Sequence, residues 1–421
     1  MKIEFIIKNI CLCLAVLIIF QSGCSSSGNR NSAIMNNNIT KGNYGYDSAF
    51  FSNNNIKIIE LKDNIGKARV MIVPGYQGRV MTSTANGSNG KSFGWINYRH
   101  IESGEVSSQF NPFGGEERIW FGPEGGPFSI YFKKGDDQVF ANWVVPKEID
   151  TDPFEITDQN EFSIGFTKKI SLTNASGTVL DFNIDRRVKL LNLNESENIL
   201  NLDIDPSLSV VGYESANTLT NKGQKEWTEK SGALSIWMLA MFNPSEQGVV
   251  FIPFQKGSES EKGKIVTDDY FGKVPSDRLI IGDGVLFFKT DGKYRSKIGI
   301  SPQRAQSLCG SYDPENKVLT LLSYSLPEKA SKYVNSKWGQ QDDPYRGDVV
   351  NSYNDGPVED GSIMGPFYEI ESSSPSAFLK PEESITHIQR IFHIAGDEEN
   401  LNLITQKLFN LTIDQIKGAF N

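Results

Sequence analysis

The sequence predicts a large all-β fold built mainly from antiparallel strands. Short runs of alternating apolar and polar residues recur between about residues 55 and 395, and turn signals such as Asp283-Gly284 and Asp355-Gly356 separate them. Long helical segments do not alternate with these runs, as they would in a parallel α/β sheet. The length of 421 residues and the hydrophobic fraction of 38% are sufficient for one large sandwich or barrel.

The predicted strands follow one another along most of the chain. In KARVMIVPGYQGRVMTSTANGS a Pro-Gly turn separates two strands and an Asn-Gly turn follows. The segment EFSIGFTKKISLTNASGTVLDFNIDRRVKLLNL predicts three strands, and GVVFIPF, RLIIGDGVLFFKTDGKYRSKIGIS, NKVLTLLSYSL and SITHIQRIFHIA continue the pattern. DEENLNLITQKLFNLTIDQIKGAF predicts two short C-terminal helices that separate near Asn410.

The N-terminus predicts export and a lipid anchor. Residues 1–24 combine two lysines with an apolar run and end in Ser22-Gly23-Cys24, which resembles a bacterial lipobox. Residues 25–45 read as a polar, disordered tether, and 46–421 as one β domain that includes a helical tail over 397–421. An ordinary signal peptide with a chance cysteine is the alternative. Lipoproteins exported to the bacterial surface resemble one another in having acidic residues just after the cysteine, whereas Ser25, Ser26 and Ser27 follow Cys24 here. The comparison implies a protein that faces the periplasm from the outer membrane.

Composition limits the partners and cofactors. The net charge of −9 and the absence of a basic stripe argue against nucleic acid. If the signal is removed and Cys24 carries lipid, only Cys309 remains, and no intrachain disulfide is expected. No cofactor is expected. No metal is expected either, because His387 and His393 are too far apart on one strand to chelate an ion, and the aspartates of the polar segment 337–361 do not have EF-hand spacing. A monomer is expected.

Three stretches resemble the galactose mutarotase-like superfamily. They are VMIVPGYQGRVMTSTANGSNGKSFGWIN, GGEERIWFGPEGG and GPFYEIESSSPSAFLKPEESITHIQRIFHI, in that order across residues 55–395. The resemblance implies a galactose mutarotase-like β-supersandwich with short C-terminal helices. Together with the lipobox, the chain is similar to a family of Bacteroidetes lipoproteins within that superfamily.

The resemblance also implies candidate catalytic residues. Active members use a glutamate near the C-terminal end and histidines from the middle of the sheet, and Glu369 and Glu371 match the glutamate region. Residues two apart on a strand share a face, so both carboxylates should point the same way and raise each other's proton affinity. Two solvated carboxylates are the alternative. No histidine has the mutarotase context, and His387 is the one candidate for the acid if a hairpin brings it beside Glu371.

Two further segments predict substrate binding. NPFGGEERIWFGPEGGPFSIYF combines the aromatic and charged side chains that a sugar site needs with glycines that allow close backbone approach. Its candidate residues are Glu116, Arg118, Trp120 and Glu124. The long polar segment from Lys337 to Gly361 adds Trp338, Arg346, Asn351, Tyr353, Asn354 and Asp355. A buried turn and a flexible surface loop are the respective alternatives.

These features predict a carbohydrate-binding or accessory lipoprotein of glycan utilisation. The alternative is an enzyme on the same fold, either a sugar epimerase or mutarotase, or a glycan hydrolase or lyase that uses Glu369 and Glu371 as acid and base. We expect Trp120 and Glu124 to reach the same cleft as Tyr353 and Glu371. An open aromatic groove would favour binding, and a closed pocket with an acid–base pair would favour catalysis.

Overall fold

The computed structural model of the protein describes residues 39–421 except 330, 331 and 359. The expected signal segment with Cys24, and the expected tether up to residue 38, lie outside the described residues. The strands are β1 (Ile59–Lys62), β2 (Arg69–Val73), β3 (Arg79–Thr84), β4 (Arg118–Gly122), β5 (Glu155–Gln159), β6 (Ser163–Thr173), β7 (Val179–Leu191), β8 (Ser209–Asn221), β9 (Ser235–Phe242), β10 (Val249–Pro253), β11 (Leu279–Ile281), β12 (Val285–Lys289), β13 (Ser296–Ile300), β14 (Leu308–Asp313), β15 (Val318–Tyr324), β16 (Val350–Asn354), β17 (Tyr368–Ser373) and β18 (Ser384–Ala395).

Seven α-helices connect or flank these strands within the described residues. They are α1 (Tyr44–Asn53), α2 (Tyr98–Ser103), α3 (Lys147–Asp150), α4 (Leu193–Leu200), α5 (Glu259–Lys262), α6 (Glu398–Phe409) and α7 (Ile413–Lys417). The two predicted C-terminal helices are present, and Asn410 ends α6 in a left-handed conformation. The expected tether ends at residue 45, whereas α1 already begins at Tyr44, whose side chain is buried.

The strands form three antiparallel sheets, as the sequence predicts. A three-stranded sheet has the order β1-β2-β3, and a ten-stranded sheet has the order β11-β12-β10-β14-β15-β18-β8-β7-β6-β5. A five-stranded sheet has the order β13-β16-β17-β9-β4. The all-β, mainly antiparallel fold class is therefore confirmed.

One face of the five-stranded sheet packs towards the ten-stranded sheet. Ile119, Met238, Ile298 and Ile370 on that face belong to the main hydrophobic core. Between the two sheets, Ser372 Oγ of β17 lies 2.8 Å from His387 Nε2 and 2.7 Å from Gln389 Oε1, and both of these partners are on β18 of the ten-stranded sheet. Side chains alternate along a strand, so the residues between the core positions occupy the opposite face.

Two local expectations are wrong. β17 and β18 do not form a hairpin, because β17 pairs with β9 and β16 whereas β18 pairs with β8 and β15. The segment predicted to hold three strands holds the two long strands β6 and β7, joined at a turn that follows Thr173. The last residue of the segment, Leu193, begins helix α4, and a capping box between Asn192 and Glu195 marks the start of this helix.

Candidate functional site

The outer side of the five-stranded sheet carries the polar side chains that the sequence predicted to act together. We call this side the polar face. Strand pairing brings its members together in two rows. One row places Lys297 beside Tyr353 and Tyr353 beside Glu369. The next row places Asn351 beside Glu371, with Leu239 between Glu371 and Arg118; Trp120 and Trp237 lie opposite each other beyond it.

Glu371 is at the centre of the polar face and is nearly inaccessible, with 1% of its surface exposed. Its Oε2 accepts hydrogen bonds from Lys297 Nζ and from Trp237 Nε1, each at 2.8 Å. Its Oε1 has no hydrogen-bond partner among the described residues. A buried carboxylate oxygen without a donor is costly, so this atom is a candidate contact for a ligand hydroxyl.

Glu369 lies two residues before Glu371 on the same face, as predicted. Its Oε1 pairs with Arg118 Nη2 at 3.2 Å, and both side chains are buried. Burial raises the pKa of Glu369; Arg118 lowers it and Glu371 raises it further. The Arg118 guanidinium lies 4.2 Å from the Trp120 ring centroid, so Arg118 covers one face of that ring.

Glu124 joins this group from the loop after β4. Burial raises its pKa to about 7, with Lys297 lowering it and Glu371 raising it. In Lys297, burial alone would lower the pKa, but Glu371 and Glu124 more than offset this and the net shift is upward. Three carboxylates therefore surround two cations, Lys297 and Arg118.

The glycines of the 114–126 segment allow this loop to approach its neighbours closely. A Cβ on Gly125 would lie 2.3 Å from the carbonyl oxygen of Lys337, and Gly126 has a φ of 77°. Gln138 joins the same loops, accepting from Gly126 N at 2.8 Å and from Gly339 N at 2.7 Å. The glycines thus fix Glu124 against the segment that carries Trp338.

Hydrogen bonds to neighbouring side chains hold Asn351 and Tyr353 in place on the polar face. Asn351 Nδ2 donates to Tyr270 Oη at 3.1 Å, and Tyr270 donates to Asp348 at 2.6 Å. Tyr353 Oη donates to Asp355 Oδ1 at 2.9 Å. Burial raises the pKa of both aspartates. Tyr270 and Tyr353 are partly exposed, as are Lys297, Glu124 and Trp338, so these side chains form the solvent-facing edge of the polar face.

Other predicted substrate-binding residues lie away from the polar face. Asn354 alternates with Tyr353, is fully buried, and accepts from Gly292 N while donating to the Tyr294 carbonyl, each at 2.9 Å. Arg346 is exposed in the loop before β16. The structure does not bring either side chain to the site, because the first points into the fold and the second towards solvent.

Glu116 also lies elsewhere. Its Oε1 accepts from Ser83 Oγ at 2.7 Å and contacts His393 Nε2 at 3.0 Å in the protein core. Glu116 and Glu117 bond to β3 instead of β9, with Glu116 N donating to the Met81 carbonyl and Glu117 N to the Val80 carbonyl. That pairing turns Glu116 inward, so the structure does not join it to Arg118 and Trp120.

His387 is separated from Glu371 by the sheet itself. It is fully buried between the sheets and contacts Ser372, whose side chain points to the opposite side of β17 from that of Glu371. Burial lowers its pKa to about 3, so the imidazole is neutral near neutral pH. This placement contradicts the expectation that His387 could serve as the acid beside Glu371.

Residues 42–420 match a family of unknown function, DUF6786. The chain belongs to this family. Among curated proteins, none matches the chain. The match covers every strand and helix described above, so both the polar face and the core histidines lie within the family's shared region.

Several solved structures match this DUF6786 chain over most of its length. Slr1438 from Synechocystis sp. PCC 6803 is 14% identical, with 81% of this chain and 96% of that chain covered and a TM-score of 0.49. A putative aldose 1-epimerase from Escherichia coli K12 is 10% identical, with 80% and 99% covered and a TM-score of 0.46. A galactose mutarotase-like protein from Lactobacillus casei is 11% identical, with 80% and 100% covered and a TM-score of 0.44. The matched structures thus include proteins described as galactose mutarotase-like and as a putative aldose 1-epimerase, which are the kind of protein that the sequence resembles.

Other features of the DUF6786 chain bear on its ligands. In the part that the structure describes, no group of three or more His, Cys, Asp or Glu side chains is placed to hold a metal ion. No helix within the same residues is long and apolar enough to cross a membrane. A surface depression of about 450 Å³ is lined in part by Phe110, which packs edge-on against Trp120. Glu124, Glu369 and Glu371 do not line this depression.

Sequence reasoning missed Lys297, Trp237, Tyr270 and Asp348. Lys297 is one lysine in an exposed-looking run, and Trp237 lies in the uniformly apolar SIWMLAM segment. Lys297 and Trp237 meet Glu371 only through the register of β13 and β9 with their neighbouring strands. No signal in the order of residues reveals that pairing.

Proposed function

We propose that the protein binds a carbohydrate at the polar face. The observation that carries the proposal is the set of buried polar atoms with unused bonding capacity on one side of one sheet. Glu371 Oε1, Arg118 Nε and Trp120 Nε1 have no hydrogen-bond partner among the described residues. Sugar hydroxyls both donate and accept, so one ring can serve a carboxylate oxygen and N–H donors together.

Aromatic content also supports a sugar. The partly exposed edge of the site includes Tyr270, Tyr353 and Trp338, whose rings suit the C–H faces of a sugar. Because Arg118 covers one face of the Trp120 ring, Trp120 contributes its edge N–H and the wall of the site, not an open stacking surface.

A glycan array probed with the full-length protein in detergent tests this proposal. Wild type should bind defined saccharides, and Glu371→Gln should bind them at least tenfold more weakly, because charge-assisted hydrogen bonds contribute about 1.5 to 3 kcal/mol. Glu382→Gln is the matched control, since that glutamate is largely exposed and pairs only with Lys222. Equal binding by all three proteins would contradict the proposal.

The cellular setting belongs to the same proposal. We propose a lipid-anchored accessory protein of glycan utilisation that faces the periplasm from the outer membrane. The lipobox-like Ser22-Gly23-Cys24 and the polar segment after it support this location. Cys24→Ala should move the protein from the detergent phase to the aqueous phase in phase partition. Protease that removes the protein from intact cells would contradict the orientation.

A second candidate function is acid–base catalysis on a sugar ring, as in an epimerase or mutarotase. The pKa of Glu124 near 7 favours it, because a carboxyl that is half protonated at neutral pH can donate a proton. Glu371 would accept the anomeric hydroxyl proton while Glu124 or Glu369 protonates the ring oxygen, which opens the ring without net proton change. A hydrolase or lyase using Glu369 and Glu371 is the related alternative.

Polarimetry on fresh α-galactose separates binding from catalysis. A pure binding protein should leave the rate of mutarotation at its spontaneous value. Acceleration that Glu124→Gln and Glu371→Gln each abolish would establish catalysis, because removing one acid–base group costs about 10²- to 10⁴-fold. Glu382→Gln again serves as the control for exposed charge.

A further inference from the structure

The structure contains a row of near-parallel aromatic rings that leads from the polar face to the surface. We call Phe140, Trp143 and Trp338 the aromatic row. The Phe140 and Trp143 centroids are 6.0 Å apart with planes at 19°, and those of Trp143 and Trp338 are 6.2 Å apart at 26°. Trp143, in the middle of the row, lies 6.3 Å from Trp120 of the polar face, and Trp338 ends the row at the solvent-facing edge of that face.

Exposure is lowest in the middle of this row and highest at its Phe140 end. Trp143 is buried and Trp338 is partly exposed, whereas Phe140 has 66% of its surface in solvent. Val139 and Val144, on either side of Phe140 in the chain, are also exposed. A ring that is stacked on one neighbour and otherwise open to water offers an unused apolar surface.

The aromatic row is held in place by hydrogen bonds to the site. Gln138 bonds to Gly126 in the loop of Glu124 and to Gly339 beside Trp338. Gln109 Nε2 donates to the Phe140 carbonyl at 2.6 Å. The rings are thus fixed before a ligand arrives, which reduces the entropy lost on binding.

We infer that the aromatic row provides a second sugar subsite, and that the ligand of the polar face is an oligosaccharide that extends past Trp338 so that its next unit packs on Phe140. This inference rests on the proposed function. A chain of linked sugar rings presents repeated apolar C–H faces, which match successive aromatic rings better than a single monosaccharide does. The continuity of the row with Trp120 and its fixing to the Glu124 loop favour this occupant over a protein surface, which would need a wider patch.

The test compares monosaccharides with their short linear oligomers on one printed array, using the full-length protein in detergent. Wild type should bind oligomers more tightly than monosaccharides. Phe140→Ala should weaken oligomer binding by about twofold to tenfold and leave monosaccharide binding unchanged. Phe140→Leu keeps apolar area without a ring and should behave like Phe140→Ala. Phe162→Ala, at an exposed phenylalanine of the ten-stranded sheet's β5–β6 turn, should behave like wild type.

The outcomes separate this inference from the proposed function. Equal affinity of wild type for monosaccharides and oligomers would overturn the second subsite and leave the polar face as a sugar site. Failure to bind any saccharide would overturn both. Self-association that Phe140→Ala abolishes without any glycan, measured by analytical ultracentrifugation, would assign the row to a second copy of the chain and also overturn the inference.

Discussion

Removing the ammonium group of Lys297 should destabilise the protein much more than removing a surface lysine. Lys297→Met leaves Glu371 with one donor, Trp237, in a place where only 1% of the glutamate surface meets water. Breaking a buried ion pair from one side costs about 3 to 5 kcal/mol, because the remaining charge is uncompensated. Lys297 itself is 11% exposed, so solvent compensates little of that cost.

The expected change in melting temperature follows from the size of the folded unit that the structure describes, residues 39–421. An unfolding entropy of about 2.1 cal/mol/K per residue gives about 0.8 kcal/mol/K for this unit, so the loss corresponds to about 4 to 6 °C. Differential scanning fluorimetry at neutral pH and constant salt measures it. Lys222→Met is the matched control, because its 2.6 Å pair with Glu382 is exposed and such pairs contribute about 0 to 1 kcal/mol.

A double variant tests the cause of the destabilisation. Lys297→Met combined with Glu371→Gln removes both charges while an acceptor for Trp237 remains. Replacing a whole buried pair is often nearly neutral, so the double variant should regain most of the lost stability. The reasoning is refuted if Lys297→Met melts within 1 °C of Lys222→Met (about the resolution of the assay), or if the double variant is no more stable than Lys297→Met.

Two further predictions concern titratable groups. Glu124 has an ordinary pKa of 4.5 that rises to about 7 in the folded protein, so its contribution to stability is fully present below about pH 4.5 and is lost as pH rises through about 7. The melting temperature of Glu124→Gln minus that of wild type should therefore grow from pH 5 to pH 8, and a difference that shrinks would contradict the shift. Burial raises the pKa of the Cys309 thiol to about 12, so Cys309 should react with Ellman's reagent only after denaturation, and fast labelling of the native protein would contradict its burial.

The strand pattern could be predicted from the sequence because each strand leaves a local periodicity. The hairpin of β2 and β3 appears where its Pro-Gly turn predicts, and the shared face of Glu369 and Glu371 follows from alternation alone. The segment predicted to hold three strands holds two, because β7 runs without interruption from Val179 to Leu191 until the capping box of Asn192 and Glu195 starts α4. That signal is present in the sequence but is weak beside a long alternating run.

The composition of the site could be predicted only in part, because pairing between distant strands decides which residues meet. Glu124, Tyr353 and Glu371 lie on the same side of the sheet as Trp120, but Trp120 is only 4% exposed and belongs to the main hydrophobic core, so a shared cleft stays a prediction. Burial raises the pKa of Glu124. The partner of Glu371 was not predictable, since the lysine lies 74 residues earlier in the sequence. Its selection depends on the order β13-β16-β17, which no local pattern encodes.

Buried carboxylates occur both in the core and on the polar face, and their surroundings differ. In the core, Glu117 accepts hydrogen bonds from Arg186 at 2.7 Å, from Ser215 at 2.9 Å and from Gln389 at 3.0 Å, so both of its carboxylate oxygens have donors. On the polar face, Glu371 receives two donors on one oxygen and leaves the other oxygen without one. A carboxylate that only supports the fold gains from complete pairing. Incomplete pairing alone does not single out Glu371, because Glu116 Oε2 in the core also lacks a donor among the described residues. Glu371 differs in that it contacts the partly exposed Lys297 and belongs to a group with a carboxyl whose pKa is near 7, and for this reason the polar face is the place to look for a ligand.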